Sequence, residues 1–218
     1  MYEKSFFLEW PVWNNAFAYK NRVNKVLYVP NLIEGTISNI ELWTEIVFLD
    51  FDFDDQLISC TWLQNFYKIP WKDKKIYLFD NHNHAYFFWH LESIKQKNKN
   101  YTLIHIDEHS DMRDPWMYLE IEKEWDLEAI FQYTNYTLNV WNYIIPAIHD
   151  WLIDENIIQI RDSYNLEKYF TLDLKSKDII LNLDLDFFQP ELDFIDYNLK
   201  KKVVLDAAEK ASIITVAT

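Results

Sequence analysis

Residues 101–111 read YTLIHIDEHSD. The first half, Tyr101 to Asp107, is an apolar run of strand type. The second half sets Asp107, His109 and Asp111 at i, i+2 and i+4. If strand geometry persists, alternate side chains share one face and all three converge. Carboxylate and imidazole together suit divalent Mn, Fe, Co or Zn.

Working outward, the same kind of strand recurs at Lys75–Asp80 (KIYLFD), Asn156–Arg161 (NIIQIR), Ile179–Asp186 (IILNLDLD) and Ser212–Ala217 (SIITVA). Helical patterns lie between them, at 84–97, at 126–153 with a break near Pro146, and at 199–211. Strands alternating with helices predict an α/β domain with a largely parallel sheet. Such sheets place ligand sites beyond the carboxyl ends of their strands.

Two of these other strands also run into His or Asp. In LDLDFF (183–188), Asp184 and Asp186 are expected on one face, with Leu183 and Leu185 packing on the other. Two carboxylates so close at the end of a buried strand repel, and a cation is the simplest way to keep both ionised. KIYLFD continues as Asn81-His82-Asn83-His84, offering one or two imidazoles. Asp107, Asp111, Asp184 and Asp186 carry four negative charges, enough to balance two divalent cations; a single metal leaves too many unpaired. Taken singly, each motif has a bland reading: a solvated turn, a calcium site or helix-capping pair, an uninformative loop. Three of them at three strand ends are harder to dismiss.

The chain has 218 residues, half of them hydrophobic and 18% aromatic, enough for one sizeable core. Its net charge of -14 disfavours nucleic acid or an anionic membrane and favours cationic ligands such as metals, guanidinium groups and basic peptides. One glycine, Gly35, excludes Gly-rich phosphate loops. One cysteine, Cys60, excludes an internal disulfide or a thiolate metal cluster. Met1 to Trp10 carries Glu3, Lys4 and Glu9, unlike a secretory start, and no apolar run approaches the ~20 residues of a membrane span. A cytoplasmic protein is expected. Residues 1–70 are aromatic and irregular, with a strand at Ile46–Leu49; Trp10, Trp13, Trp43, Trp62 and Trp71 are expected in the core more than in a groove. The chain stops after an apolar strand, so a continuation is expected.

HIDEHSD (105–111) resembles the DAHxD motif of the ureohydrolases, the arginase and agmatinase superfamily. NLDLDFF (182–188) resembles their SxDxD motif, and FDNHNHA (79–85) stands in the place of GGDHS. The set is similar to a divergent branch that includes peptide arginases, and it covers 75–218. The resemblance implies a single arginase-like domain, a three-layer α/β/α fold and two Mn²⁺ ions. His82, Asp107, Asp111 and Asp184 would hold one metal; Asp107, His109, Asp184 and Asp186 the other. Asp111 would also carry a proton. The implied reaction converts arginine side chains of a ribosomal precursor peptide to ornithine and urea. Relatives form trimers or hexamers, which leaves a homo-oligomer open.

Several family features are absent. The glycines of GGDHS are missing, which makes His84 a rival to His82. There is no histidine between Asp111 and Trp141, and His149 is distant. Where arginase grips guanidinium with a glutamate, this chain reads ITVAT. A different clamp is needed, Glu108 or another acid near the site. Rival readings are a single-zinc amide hydrolase of the same fold, another guanidino hydrolase, and an inactive metal-binding scaffold. FLDFDFDD (48–55) also resembles the aspartyl-phosphate strand of haloacid-dehalogenase phosphatases, or a calcium-binding acidic loop.

Overall fold

The computed structural model describes residues 1–51, 56–123, 125–175 and 177–218. Asp52, Phe53, Asp54 and Asp55 of the FLDFDFDD stretch lie outside the described residues.

A seven-stranded sheet forms the centre. Its strands are β3 (Leu32–Glu34), β6 (Phe66–Trp71), β7 (Lys74–Phe79), β8 (Thr102–Ile106), β9 (Ile158–Ile160), β10 (Ile179–Asp184) and β11 (Ile213–Ala217), in the order β3-β6-β7-β11-β10-β8-β9. The five strands from β7 to β9 in that order are mutually parallel; β6 is antiparallel to β7. Two antiparallel pairs stand apart, β1 (Phe6–Leu8) with β2 (Leu27–Val29), and β4 (Leu42–Phe51) with β5 (Leu57–Leu63). The supposedly irregular N-terminal part is therefore rich in strands. Pro70 sits inside β6 without harm, because the β3 pairing stops at Lys68 and asks no N–H of it.

The helices are α1 (His84–Gln96), α2 (Leu127–Tyr136), α3 (Ile144–His149), α4 (Ser163–Tyr169) and α5 (Tyr197–Lys210). Strand alternation divides the core. Leu103, Ile180 and Ile213 face one cluster with residues of α1, α2 and α3. Ile104, Leu181 and Ile214 face another with residues of α4 and α5. Burying such side chains contributes roughly 1.5–3 kcal/mol each. The break predicted near Pro146 instead occupies 137–143, and Pro146 lies in the first turn of α3, where its missing N–H costs nothing. Asp126, Asp162 and Asp196 cap α2, α4 and α5, each accepting backbone N–H groups. Part of the acidic excess thus serves helix starts.

With so few glycines, ordinary residues take left-handed backbone positions. Lys97 ends α1 at φ 53°, and Asp111 sits at φ 52°. Among the described residues no helix is long and apolar enough to cross a membrane.

Of the five tryptophans in the first part, Trp13 is in the core, while Trp10 is 71% exposed and Trp43 and Trp62 are also exposed. The core expectation for that group holds for Trp13 and fails for these three.

Candidate metal centre

The centre is assembled at the carboxyl ends of β7, β8 and β10. After β7 the chain turns, and His82 points its Nδ1 at three carboxylates. That atom lies 2.7 Å from Asp184 Oδ2, 3.2 Å from Asp111 Oδ2 and 3.3 Å from Asp107 Oδ2. His109 Nδ1 lies 3.0 Å from Asp186 Oδ2 and 3.5 Å from Asp107 Oδ1. Two groups therefore have ligand atoms close enough to share an ion, His82–Asp107–Asp111 and Asp107–His109–Asp186, and Asp107 belongs to both. Five of the six sequence-predicted ligands fall in these two groups, and Asp184 reaches the first through its 2.7 Å approach to His82 Nδ1.

The convergence does not come from persisting strand geometry. β8 ends at Ile106, and the His109 N–H donates to Asp107 Oδ1 across a turn. The left-handed backbone of Asp111 then brings its carboxylate under His82. Asp186 sits in a 3₁₀ turn capped by Asp184, whose Oδ1 accepts the Asp186 N–H at 3.0 Å. That turn also swings Leu185 outward to 40% exposure, so it does not pack like Leu183.

His84 is elsewhere. Fully buried, it meets the Tyr2 hydroxyl at 2.6 Å through Nδ1 and lies against the Trp13 and Phe66 rings. Burial pushes it down to about 3. It serves the core, and His82 the cluster. His149 pairs with Asp150 and stacks on Tyr118, away from the centre.

Charge is unbalanced. Burial, then the Asp107 charge, lifts Asp111 up to about 7 against the pull of His82. Burial and the neighbouring Asp184 raise Asp186. Burial opposes ionisation of Asp107 too, but the hydrogen bond from His109 and the His82 imidazole nearby hold it well below the usual range. His82 is raised well above its ordinary value by Asp111 and Asp184 despite burial, and hydrogen bonds to Asp107 and Asp186 push His109 up to about 10. His82 Nδ1, Asp107 Oδ2 and Asp111 Oδ1 are buried without a hydrogen-bond partner among the described residues. Buried oxygens left unpaired are costly, and these donors are the type divalent ions take. The residues fit the group.

No protein-family model matches the chain, and no curated protein matches it. What the centre does must be argued from its own residues.

Behind the cluster runs a buried relay that the motifs did not reveal. Tyr143 donates to Asp111 Oδ2 at 3.1 Å. Asn182 Nδ2 lies 2.8 Å from the Tyr143 hydroxyl and 3.0 Å from His105 Nδ1. Asn182 Oδ1 accepts from Thr215, which accepts from Trp89 Nε1. The register sets Asn182 directly between His105 and Thr215 on adjacent strands. With Nδ1 accepting from Asn182, neutral His105 carries its proton on Nε2, 3.4 Å from Asp107 Oδ2. Burial pulls His105 down to about 4. One sequence signal existed: His105 precedes Asp107 by two residues, at the end of β8.

The cluster opens on a cavity of about 360 Å³. Phe48 and Asp50 of β4, Trp62 of β5, Asp80 and Trp141 line it with His82, His109, Asp184 and Asp186. Glu108 does not; its N–H faces Asp186 Oδ1 and its carbonyl accepts from Arg161. Asp50 lies in an antiparallel hairpin outside the parallel sheet, unlike a strand-end phosphatase nucleophile. Asp80 is buried and pushed up to about 8.

Proposed function

We propose that this chain is a two-manganese hydrolase that cleaves the guanidinium C–N bond of arginine side chains in a precursor peptide. The observation that carries the reading is Asp107, shared by two His/Asp groups, with His82 Nδ1, Asp107 Oδ2 and Asp111 Oδ1 buried and without a hydrogen-bond partner among the described residues. Helices on both faces of a largely parallel sheet are compatible with an arginase-like three-layer arrangement. The acidic chain favours a cationic peptide over nucleic acid or membrane, in the cytoplasm.

His82, Asp107, Asp111 and Asp184 would hold one ion; Asp107, His109, Asp184 and Asp186 the other. Bound ions would supply Lewis-acid activation of water near neutral pH. Water adds to the guanidinium carbon, the bond to the side-chain nitrogen breaks, urea leaves and an ornithine residue remains in the peptide. Asp111 passes the proton to the leaving amine. Its Oδ1 has no hydrogen-bond partner among the described residues, and its Oδ2 is steadied by Tyr143. Two groups rather than one count against the single-zinc amide hydrolase.

The test is mass spectrometry of an arginine peptide and of free arginine after incubation with manganese-loaded protein, beside an Asp107→Ala control. The reading requires the peptide's arginine to become ornithine with wild type only. Full metal loading with neither substrate changed would overturn it.

A further inference from the structure

The proposed substrate is a cation, and any metal ions held by the cluster would be cations too. Something in the cavity must attract the guanidinium while the metals repel it. Glu108 does not line the cavity.

Asp80 does. It leaves the end of β7 two residues before His82, so it stands beside the metal cluster. Its Oδ1 accepts the Leu63 N–H at 3.0 Å, which fixes the carboxyl against β5. Its Oδ2 has no hydrogen-bond partner among the described residues, although Asp80 is only 5% exposed. A buried carboxyl oxygen without a donor is costly unless something arrives to meet it. The surrounding wall suits a flat cation. Trp62, Phe48 and Trp141 present aromatic rings, and Asp50 adds a second acid. Trp141 already carries one guanidinium, that of Arg113, 4.3 Å from its ring centre.

We infer that Asp80 is the carboxyl that receives the substrate's guanidinium, held by the Leu63 N–H and walled by Trp62, Phe48 and Trp141. This rests on the guanidinium reading above and adds its specificity-determining residue. Guanidinium offers N–H groups in a plane, matched to a fixed carboxyl oxygen, and its charge favours the ionised carboxylate that burial alone opposes. An uncharged substrate of the same shape leaves Asp80 unmet and is rejected.

The test is calorimetric titration of the manganese-loaded full chain with benzamidine, a planar amidinium, and with benzamide, its uncharged counterpart. Wild type should bind benzamidine at least tenfold more tightly than benzamide. Asp80→Asn keeps an acceptor for the Leu63 N–H and should lose at least tenfold for benzamidine alone, with manganese content unchanged. Asp80→Glu should retain most of the discrimination, which separates charge from folding. Equal benzamidine binding by D80N and wild type overturns the inference, as does loss of manganese in D80N, which would make Asp80 part of the metal site. Retained discrimination at Asp80 without any arginine conversion supports the anchor while overturning the reaction.

Discussion

The Tyr143 hydroxyl donates to Asp111 Oδ2 at 3.1 Å, tying the start of α3 to the carboxylate proposed to move the proton. Both residues are almost fully buried. Tyr143→Phe removes that bond and one of the two partners of Asn182 Nδ2. The expected result is metal content unchanged, stability down by about 1–2 kcal/mol, and turnover down at least tenfold. Denaturant unfolding beside metal analysis checks it. Loss of metal would make Tyr143 a support of the ligand set instead.

His82 and His84 should separate cleanly. His82→Ala is expected to lose the ion of the His82–Asp107–Asp111 group. His84→Phe should keep both metals, because its ring lies in the aromatic core. If metal analysis shows the loss only for the His84 variant, the assignment is reversed.

His84 also sets a pH dependence. Its folded value of about 3 lies below the ordinary 6.5, so the unfolded chain binds the extra proton between those limits. The stability it contributes is complete above about pH 6.5 and is lost as pH falls toward 3. Urea unfolding at pH 7.5 and pH 5 should show a steeper fall for wild type than for His84→Phe. Equal slopes would mean that His84 is not buried neutral.

The turn that carries Asp186 is held from behind. Lys200, 2% exposed, donates to the carbonyls of Phe187 and Leu192 at 2.8 Å each. Lys200→Met leaves both carbonyls without that donor and should cost about 2–4 kcal/mol. It should also weaken the ion that needs Asp186 more than the other. Metal titration followed by thermal melts reads both effects.

Sequence periodicity revealed the parallel strands because their β-branched runs end abruptly in charged residues, as at Ile106–Asp107 and Leu183–Asp184. It picked out the six candidate ligands as residue types, but not the way they meet. Left-handed Asp111 and the 3₁₀ turn at Asp186 replace the alternation that the spacing suggested. The N-terminal strands were hidden because β1 and β3 are three residues long and β6 contains a proline. The relay from Trp89 through Thr215, Asn182 and Tyr143 joins residues far apart in the chain. Only strand register brings Asn182 between His105 and Thr215, and no local pattern records that. Asp80 read as part of a strand end, and the role proposed for it rests on β4 and β5 lining the same cavity.

Metal stoichiometry of the purified chain tests the central claim most directly. Wild type dialysed against manganese should hold two ions per chain. Asp186→Ala should hold one, and Asp107→Ala, lacking the shared carboxylate, should hold none. A wild-type chain that binds one ion or none, or an Asp107→Ala chain that keeps both, would contradict the account.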